Sequence, residues 1–200
     1  MRAAVLLLTG APGHPACPPG VDQVRFGRAL AEDVVDLLAT LSDVDTLIAA
    51  TPSRLDDVAA IRWPGTVVLR LSEVDGVVSL LGRIAGYDEA AVFAPDVPDL
   101  PALLAAKPFS GLSTAEVAVL PASTGGLVAL ASRLPVPGWL PSTVDLDDPA
   151  ALDRLRAAAP RPDDVVVAPA WPRLRTPTDL VRLDPALEGW EATRALVSDS

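Results

Sequence analysis

Two aspartates, Asp96 and Asp99, follow an apolar run, Ala90 to Ala94, that stops at Pro95. In an α/β sheet such a run reads as a buried parallel strand whose carboxyl end delivers Asp96 to the surface. Ligands of open α/β sheets bind in the crevice outside those carboxyl ends. An acid there can hold a metal ion and, through it, a diphosphate. On the other reading Asp96 only begins a turn, since Asp and Pro are ordinary turn residues. A second candidate is Thr9-Gly10-Ala11-Pro12-Gly13, again after an apolar run. Its glycines let backbone N–H groups approach a phosphate or a base. It is no P-loop, because Gly-Lys-Ser/Thr is missing, and no Gly-x-Gly-x-x-Gly. A third is Ser123-Thr124-Gly125-Gly126, which could set backbone and hydroxyls beside a substrate. Each alone reads first as a structural turn.

Other chemistry-bearing residues weigh less. His14 is the only histidine, in a proline-rich loop, and reads as solvent-exposed. With one His and one Cys no zinc site is credible. Cys17 near His14 lacks an orienting third group for a thiol nucleophile. Trp63, Trp139, Trp171 and Trp190 read as packing at element ends. The acid-rich stretch Asp145-Leu146-Asp147-Asp148 reads as a solvated loop leading into a helix at Pro149 rather than as a metal site.

The elements that must position these residues follow from the hydrophobic pattern. Continuous apolar runs predict strands at 3–8 and 90–94, and apolar-rich stretches predict further strands at 44–50, 66–71, 115–120, 126–131 and 164–168. Helical spacing of Leu30, Val34, Leu37, Leu38 and Leu41 predicts a helix over 24–41. Shorter helices are predicted at 52–61, 77–84, 100–106 (ended by Pro108), 149–158 and 189–197, with another opened by Thr176 and Pro177. Residues 132–148 read as an irregular excursion over the surface. Strand and helix alternate, which predicts an α/β fold: one domain over 1–200, an open, mostly parallel sheet with helices on both faces.

Composition narrows the partners. The chain has 200 residues and a net charge of −10, which argues against nucleic acid and against an anionic membrane surface. The single cysteine excludes an intrachain disulfide and fits a reducing, cytoplasmic setting. The opening apolar run is too short for a signal peptide and reads as a first strand, and no stretch has the length of a transmembrane helix.

In order and spacing, these motifs resemble the nucleotide-diphospho-sugar transferase superfamily with the GT-A, Rossmann-like fold. The nearest branches are bacterial glycosyltransferase-A-like proteins and the 2-phospho-lactate guanylyltransferases. The first strand and loop are matched by Ala4 to Gly13. The Gly-Asp-x-Pro-x-Leu type motif is matched by Ala94-Pro95-Asp96-Val97-Pro98-Asp99-Leu100, and a glycine loop after the next strand by Thr124-Gly125-Gly126. The family's Asp-x-Asp-Thr-Pro-x-Asp-Leu is matched by Arg173-Leu174-Arg175-Thr176-Pro177-Thr178-Asp179-Leu180. The closing Glu191-Ala192-Thr193-Arg194-Ala195-Leu196 is similar to the guanylyltransferase tail.

The resemblance implies a nucleotidyl- or glycosyltransferase-like enzyme with a metal-assisted nucleotide site. It implies Mg2+ or Mn2+ on Asp96, and GTP or a sugar nucleotide on Thr9, Gly10, Ala11, Pro12, Gly13, Gly125 and Gly126. Arg173 and Arg175 stand where the family has acids. Thr124 replaces an acid, and the first loop has no Lys or Arg from position 3 to 24. Two readings follow: the arginines take over the metal's neutralising role, or the fold persists as a weak or inactive relative that binds a nucleotide, a second copy of itself or a partner protein.

Overall fold

A computed structural model describes residues 1–72, 75–184 and 186–198. Among the described residues seven strands form one sheet: β1 (Arg2–Leu8), β2 (Val44–Ala50), β3 (Val67–Arg70), β4 (Glu89–Phe93), β5 (Val117–Pro121), β6 (Leu127–Arg133) and β7 (Val165–Val167). Their order is β3-β2-β1-β4-β6-β5-β7. All neighbours run parallel except β6, which is antiparallel to both β4 and β5. The apolar runs at 3–8 and 90–94 are adjacent in the sheet interior, paired from Arg2↔Glu89 to Leu6↔Phe93. They are continuous because both faces are covered. Ala4, Leu6, Leu8, Ala91 and Phe93 join one core, and Ala3, Val5, Ala90, Val92 and Ala94 the other.

The first core is roofed by α1 (Gln23–Ala39), α2 (Leu55–Ile61), α4 (Ala102–Ala105) and α5 (Lys107–Gly111), which contribute Val34, Leu38, Val58, Ile61, Ala105 and Phe109. The second lies under α3 (Val77–Arg83) and α6 (Ala151–Ala158), through Leu80, Leu81, Ala151 and Leu155. A third cluster joins α1 to α7 (Glu191–Ser198) through Phe26, Leu30, Trp190 and Leu196. Asp22 caps α1 by accepting the Arg25 N–H at 2.8 Å.

Three expectations change. Pro108 does not end a helix; it occupies the first turn of α5, where its missing N–H costs nothing. Thr176 and Pro177 open a 3-10 helix, Pro177–Arg182, not an α-helix. Of the stretch 132–148 expected to be irregular, Ser132 and Arg133 still belong to β6; residues 134–148 are irregular, yet they do not merely cross the surface. Leu140, Val144 and Leu146 are buried in the second core, so apolar anchors pin this segment against the sheet.

Gly126 sets how closely it is pinned. Its φ is +80°, and a Cβ there would lie 2.5 Å from the Leu146 carbonyl oxygen. Glycine is the residue that permits both. The Leu127 N–H then donates to that oxygen at 2.8 Å.

Candidate functional site

The parallel register brings the carboxyl ends of β1 and β4 to one cleft of about 250 Å3. Its lining includes Thr9, Ala11 and Gly13 from the first loop, Asp96 after β4, and Arg173 and Arg175 from the segment after β7. That last segment continues along β5: Trp171 N–H donates to the Pro121 carbonyl at 3.0 Å, and Ser123 N–H to the Trp171 carbonyl at 3.1 Å. Three residues on, the Leu174 N–H donates to the Asp96 carbonyl at 2.9 Å. Leu174 turns into the third core, between two arginines that reach the cleft.

Asp96 is 2% exposed. Its Oδ1 accepts from Arg173 Nε at 2.6 Å, and Oδ2 lies 3.2 Å from Arg175 Nε. Burial alone would raise its pKa. The His14 imidazole and the guanidinium groups of Arg173 and Arg175 outweigh that and hold the carboxyl below its usual range. Arg173 is equally buried. Its Nη1 donates to the Leu127 and Leu146 carbonyls at 2.9 and 3.0 Å, and its Nη2 lies 2.9 Å from Asp147 Oδ1. Arg175 Nη2 donates to the same Asp147 oxygen at 2.7 Å.

The Thr-Pro-Thr-Asp motif has a structural task here. Asp179 Oδ2 accepts from the N–H groups of Arg175 and Thr176 at 3.0 and 2.8 Å and from the Thr176 hydroxyl at 2.9 Å. Burial would raise the Asp179 pKa, but these donors lower it on balance. The effect is to fix the backbone that carries Arg175.

Gly125 and Gly126 do not line the cleft. They form the β5–β6 turn, packed against Pro149 and Leu146, and act on the cleft through the Leu146 carbonyl that Arg173 binds. Gly10 and Pro12 are exposed on the first loop and lie outside the lining; the Gly10 carbonyl accepts from Ser53 Oγ at 2.9 Å. Gly13 has φ +102°, and α1 presses Gly27 against it. Asp99 is also off the cleft, buried with Trp171 Nε1 at 3.3 Å; desolvation raises its pKa.

Three lining residues escaped the sequence reading. His14 is not solvent-exposed: its Nε2 lies 3.8 Å from Asp96 Oδ2, while its Nδ1 accepts the Ala16 N–H at 3.2 Å. With Nδ1 an acceptor, the neutral ring carries its proton on Nε2, toward Asp96. Arg54 stands just beyond the carboxyl end of β2. Its Nε donates to Asp57 at 2.7 Å and its Nη1 to the Thr9 carbonyl at 3.3 Å. The strand-end rule that selected Asp96 would have found it. Asp147 belongs to the acid-rich loop read as merely solvated, and bridges Arg173 and Arg175.

The donor set does not fit a resident divalent cation. Such a cation takes several oxygen ligands. Among the described residues no group of three or more His, Cys, Asp or Glu side chains is placed to hold one. Asp96, expected as the metal ligand, has both oxygens facing guanidinium groups.

No protein-family model matches the chain, and no curated protein matches it in sequence. Solved structures do match. A candidate nucleotide-diphospho-sugar transferase from Desulfovibrio desulfuricans superposes with a TM-score of 0.67 at 16% identity, over 99% of this chain and 97% of that one. The 4-diphosphocytidyl-2C-methyl-D-erythritol synthase of Anaerococcus prevotii gives 0.63 at 11% identity, over 98% and 96%. A CMP:2-keto-3-deoxy-manno-octonic acid synthetase solved with CTP gives 0.60 at 14%, over 100% and 99%. The chain therefore has the fold shared by the nucleotide-diphospho-sugar transferases and nucleotidyltransferases.

Proposed function

We propose that the protein is a nucleotide-dependent transferase whose nucleotide phosphates enter the cleft between Thr9–Gly13 and Arg175. The observation that carries this reading is the convergence of Arg54, Arg173, Arg175 and His14 on the carboxyl ends of β1 and β4. Transfer from a nucleoside triphosphate or a sugar nucleotide needs charge neutralised at several oxygens at once. The first loop lacks cations, but Arg54 is brought under it from β2. Backbone N–H groups around Gly13 supply further polarity without side chains. The likeness in fold to a synthetase that binds CTP supports a nucleotide donor.

A second reading rests on the Asp96 ion pairs. An acid whose charge two arginines already offset is poorly placed to promote transfer, and the protein is then a slow relative that binds a nucleotide without efficient turnover.

The deciding experiment follows release of pyrophosphate or nucleoside diphosphate from GTP, CTP, UTP and sugar nucleotides, with phosphorylated and sugar acceptors. Turnover of about one per second, abolished by Arg175→Ala, supports the enzyme. Saturable nucleotide binding without release supports the binding protein. No binding of any nucleotide rejects both.

A further inference from the structure

The manganese complex of Rv0371c from Mycobacterium tuberculosis shares this fold, at 16% identity and a TM-score of 0.55. The cleft described above is built differently from a cation site. Asp96 and Asp147 each face both Arg173 and Arg175. A cation that bound Asp96 would have to displace guanidinium from a sealed carboxylate. Arg173 cannot swing aside, because all three of its nitrogens are engaged: Nε by Asp96, Nη1 by two carbonyls and Nη2 by Asp147.

The other two arginines retain free donors. Arg175 is about one-third exposed, and its Nη1 has no hydrogen bond among the described residues. Arg54 lines the same cleft with Nε and Nη1 engaged and Nη2 without a partner among the described residues. The cleft thus presents two fixed guanidinium donors and the His14 ring where a cation would otherwise stand. A guanidinium N–H is a charged donor to phosphate oxygen, so the Nη1 of Arg175 and the Nη2 of Arg54 need no metal to bridge them to a diphosphate.

We propose that this cleft binds a diphosphate group without a divalent metal, with Arg175, Arg54 and His14 as the contacts and Asp96 as the residue that positions the Arg173–Arg175 pair. The proposal deepens the nucleotide reading and rests on it for the identity of the natural ligand. It gives Asp96 a different task from metal ligation: its charge holds two guanidinium groups in register.

The probe is inorganic pyrophosphate, with GTP and CTP in parallel, titrated by calorimetry and thermal shift in EDTA and again in Mg2+ or Mn2+. Ligand binding to the native state raises the melting temperature. In EDTA, pyrophosphate should bind with an affinity within about threefold of that in metal, a difference under 1 kcal/mol. Arg175→Ala, at a partly exposed position, should keep the fold and weaken binding by about tenfold or more, the loss of a charged hydrogen-bond donor. Arg175→Asp should create manganese affinity that the wild type lacks, because it adds a carboxylate beside Asp96.

Binding of pyrophosphate only with metal overturns the proposal and leaves the nucleotide reading standing. Metal-free pyrophosphate binding with no response to any nucleotide does the reverse. No response to either ligand overturns both. Undiminished metal-free binding in Arg175→Ala also overturns the proposal.

Discussion

At the scale of residues, Arg173 and Arg175 share a sequence motif and two acidic partners but differ in exposure, and that sets what each substitution does. Arg173 is 4% exposed and Asp96 is 3% in its side chain. Arg173→Met keeps the volume and removes the charge, leaving Asp96 buried without its strongest partner. Unfolding in urea should show a loss of about 3–5 kcal/mol, the range for breaking a buried pair. Arg175 is 36% exposed, and Asp147, which it shares with Arg173, is 64% exposed. Solvent screens that contact, so Arg175→Ala should cost under about 1 kcal/mol in the same measurement while weakening anion binding about tenfold or more. A large stability loss in Arg175→Ala, or a small one in Arg173→Met, would contradict this division.

At the scale of elements, two junctions carry predictions. The first joins α1 to α7. Asp33, inside α1, accepts the N–H groups of Ala192 and Thr193 at 2.9 Å each and so caps a helix from far along the chain. Burial raises its pKa to about 6, against the lowering effect of those donors. Because the folded value exceeds the unfolded one, Asp33 contributes stability below about pH 4 and loses that contribution as the pH rises through about 6. The shift of about two units corresponds to about 3 kcal/mol at most. Asp33→Asn should flatten this part of the stability profile. The difference between wild type and variant isolates it from carboxylates such as Asp96 and Asp179, whose pKa values move down. A difference that does not change between pH 4 and pH 7 would count against it.

The second junction is the β5–β6 turn. Gly126→Ala places a Cβ 2.5 Å from the Leu146 oxygen in a left-handed conformation. Backbone strain of that kind costs about 1–3 kcal/mol. The same variant should also weaken pyrophosphate binding, because the displaced carbonyl is one that Arg173 holds. Circular dichroism melting and calorimetry read the two effects separately.

At the scale of the whole molecule, three cores divide the work. Two cover the faces of the sheet and make the scaffold. The third is smaller and gathers Ala16 beside His14, Leu174 between the arginines, Phe26 and Leu30 of α1, and Trp190 and Leu196 near the carboxyl end. It therefore holds together the two segments that bring His14 and the arginines to Asp96. Trp190 is 3% exposed, with the Arg194 guanidinium stacked 4.5 Å from its ring centroid. Trp190→Ala should cost about 3–5 kcal/mol and weaken anion binding, although Trp190 does not line the cleft. Unchanged pyrophosphate affinity in a destabilised Trp190→Ala would detach this core from the site.

Much of the scaffold was determined by local pattern. Residues 3–8 and 90–94 had to be interior strands because apolar side chains on both faces leave no face for water. The helix over 24–41 follows from its period, and Asp96 from the rule that strand ends make crevices. What Asp96 does there was decided by tertiary structure. Arg173 lies 77 residues away, and nothing near Asp96 in sequence says that its two oxygens meet guanidinium rather than metal. Arg54 sits in a stretch that reads only as a short helix and Asp147 in a loop that reads as solvated, and they become part of the cleft only because β2 lies beside β1 and because Leu140, Val144 and Leu146 pull the 134–148 segment onto the sheet. His14, set among prolines, looked exposed until α1 and the third core closed behind it. Periodicity reports which face of an element is buried, and so the elements were legible from short windows. The charge balance of the cleft is a sum over five distant segments, and only their packing brings those charges within a few ångströms, where Coulomb energies become large.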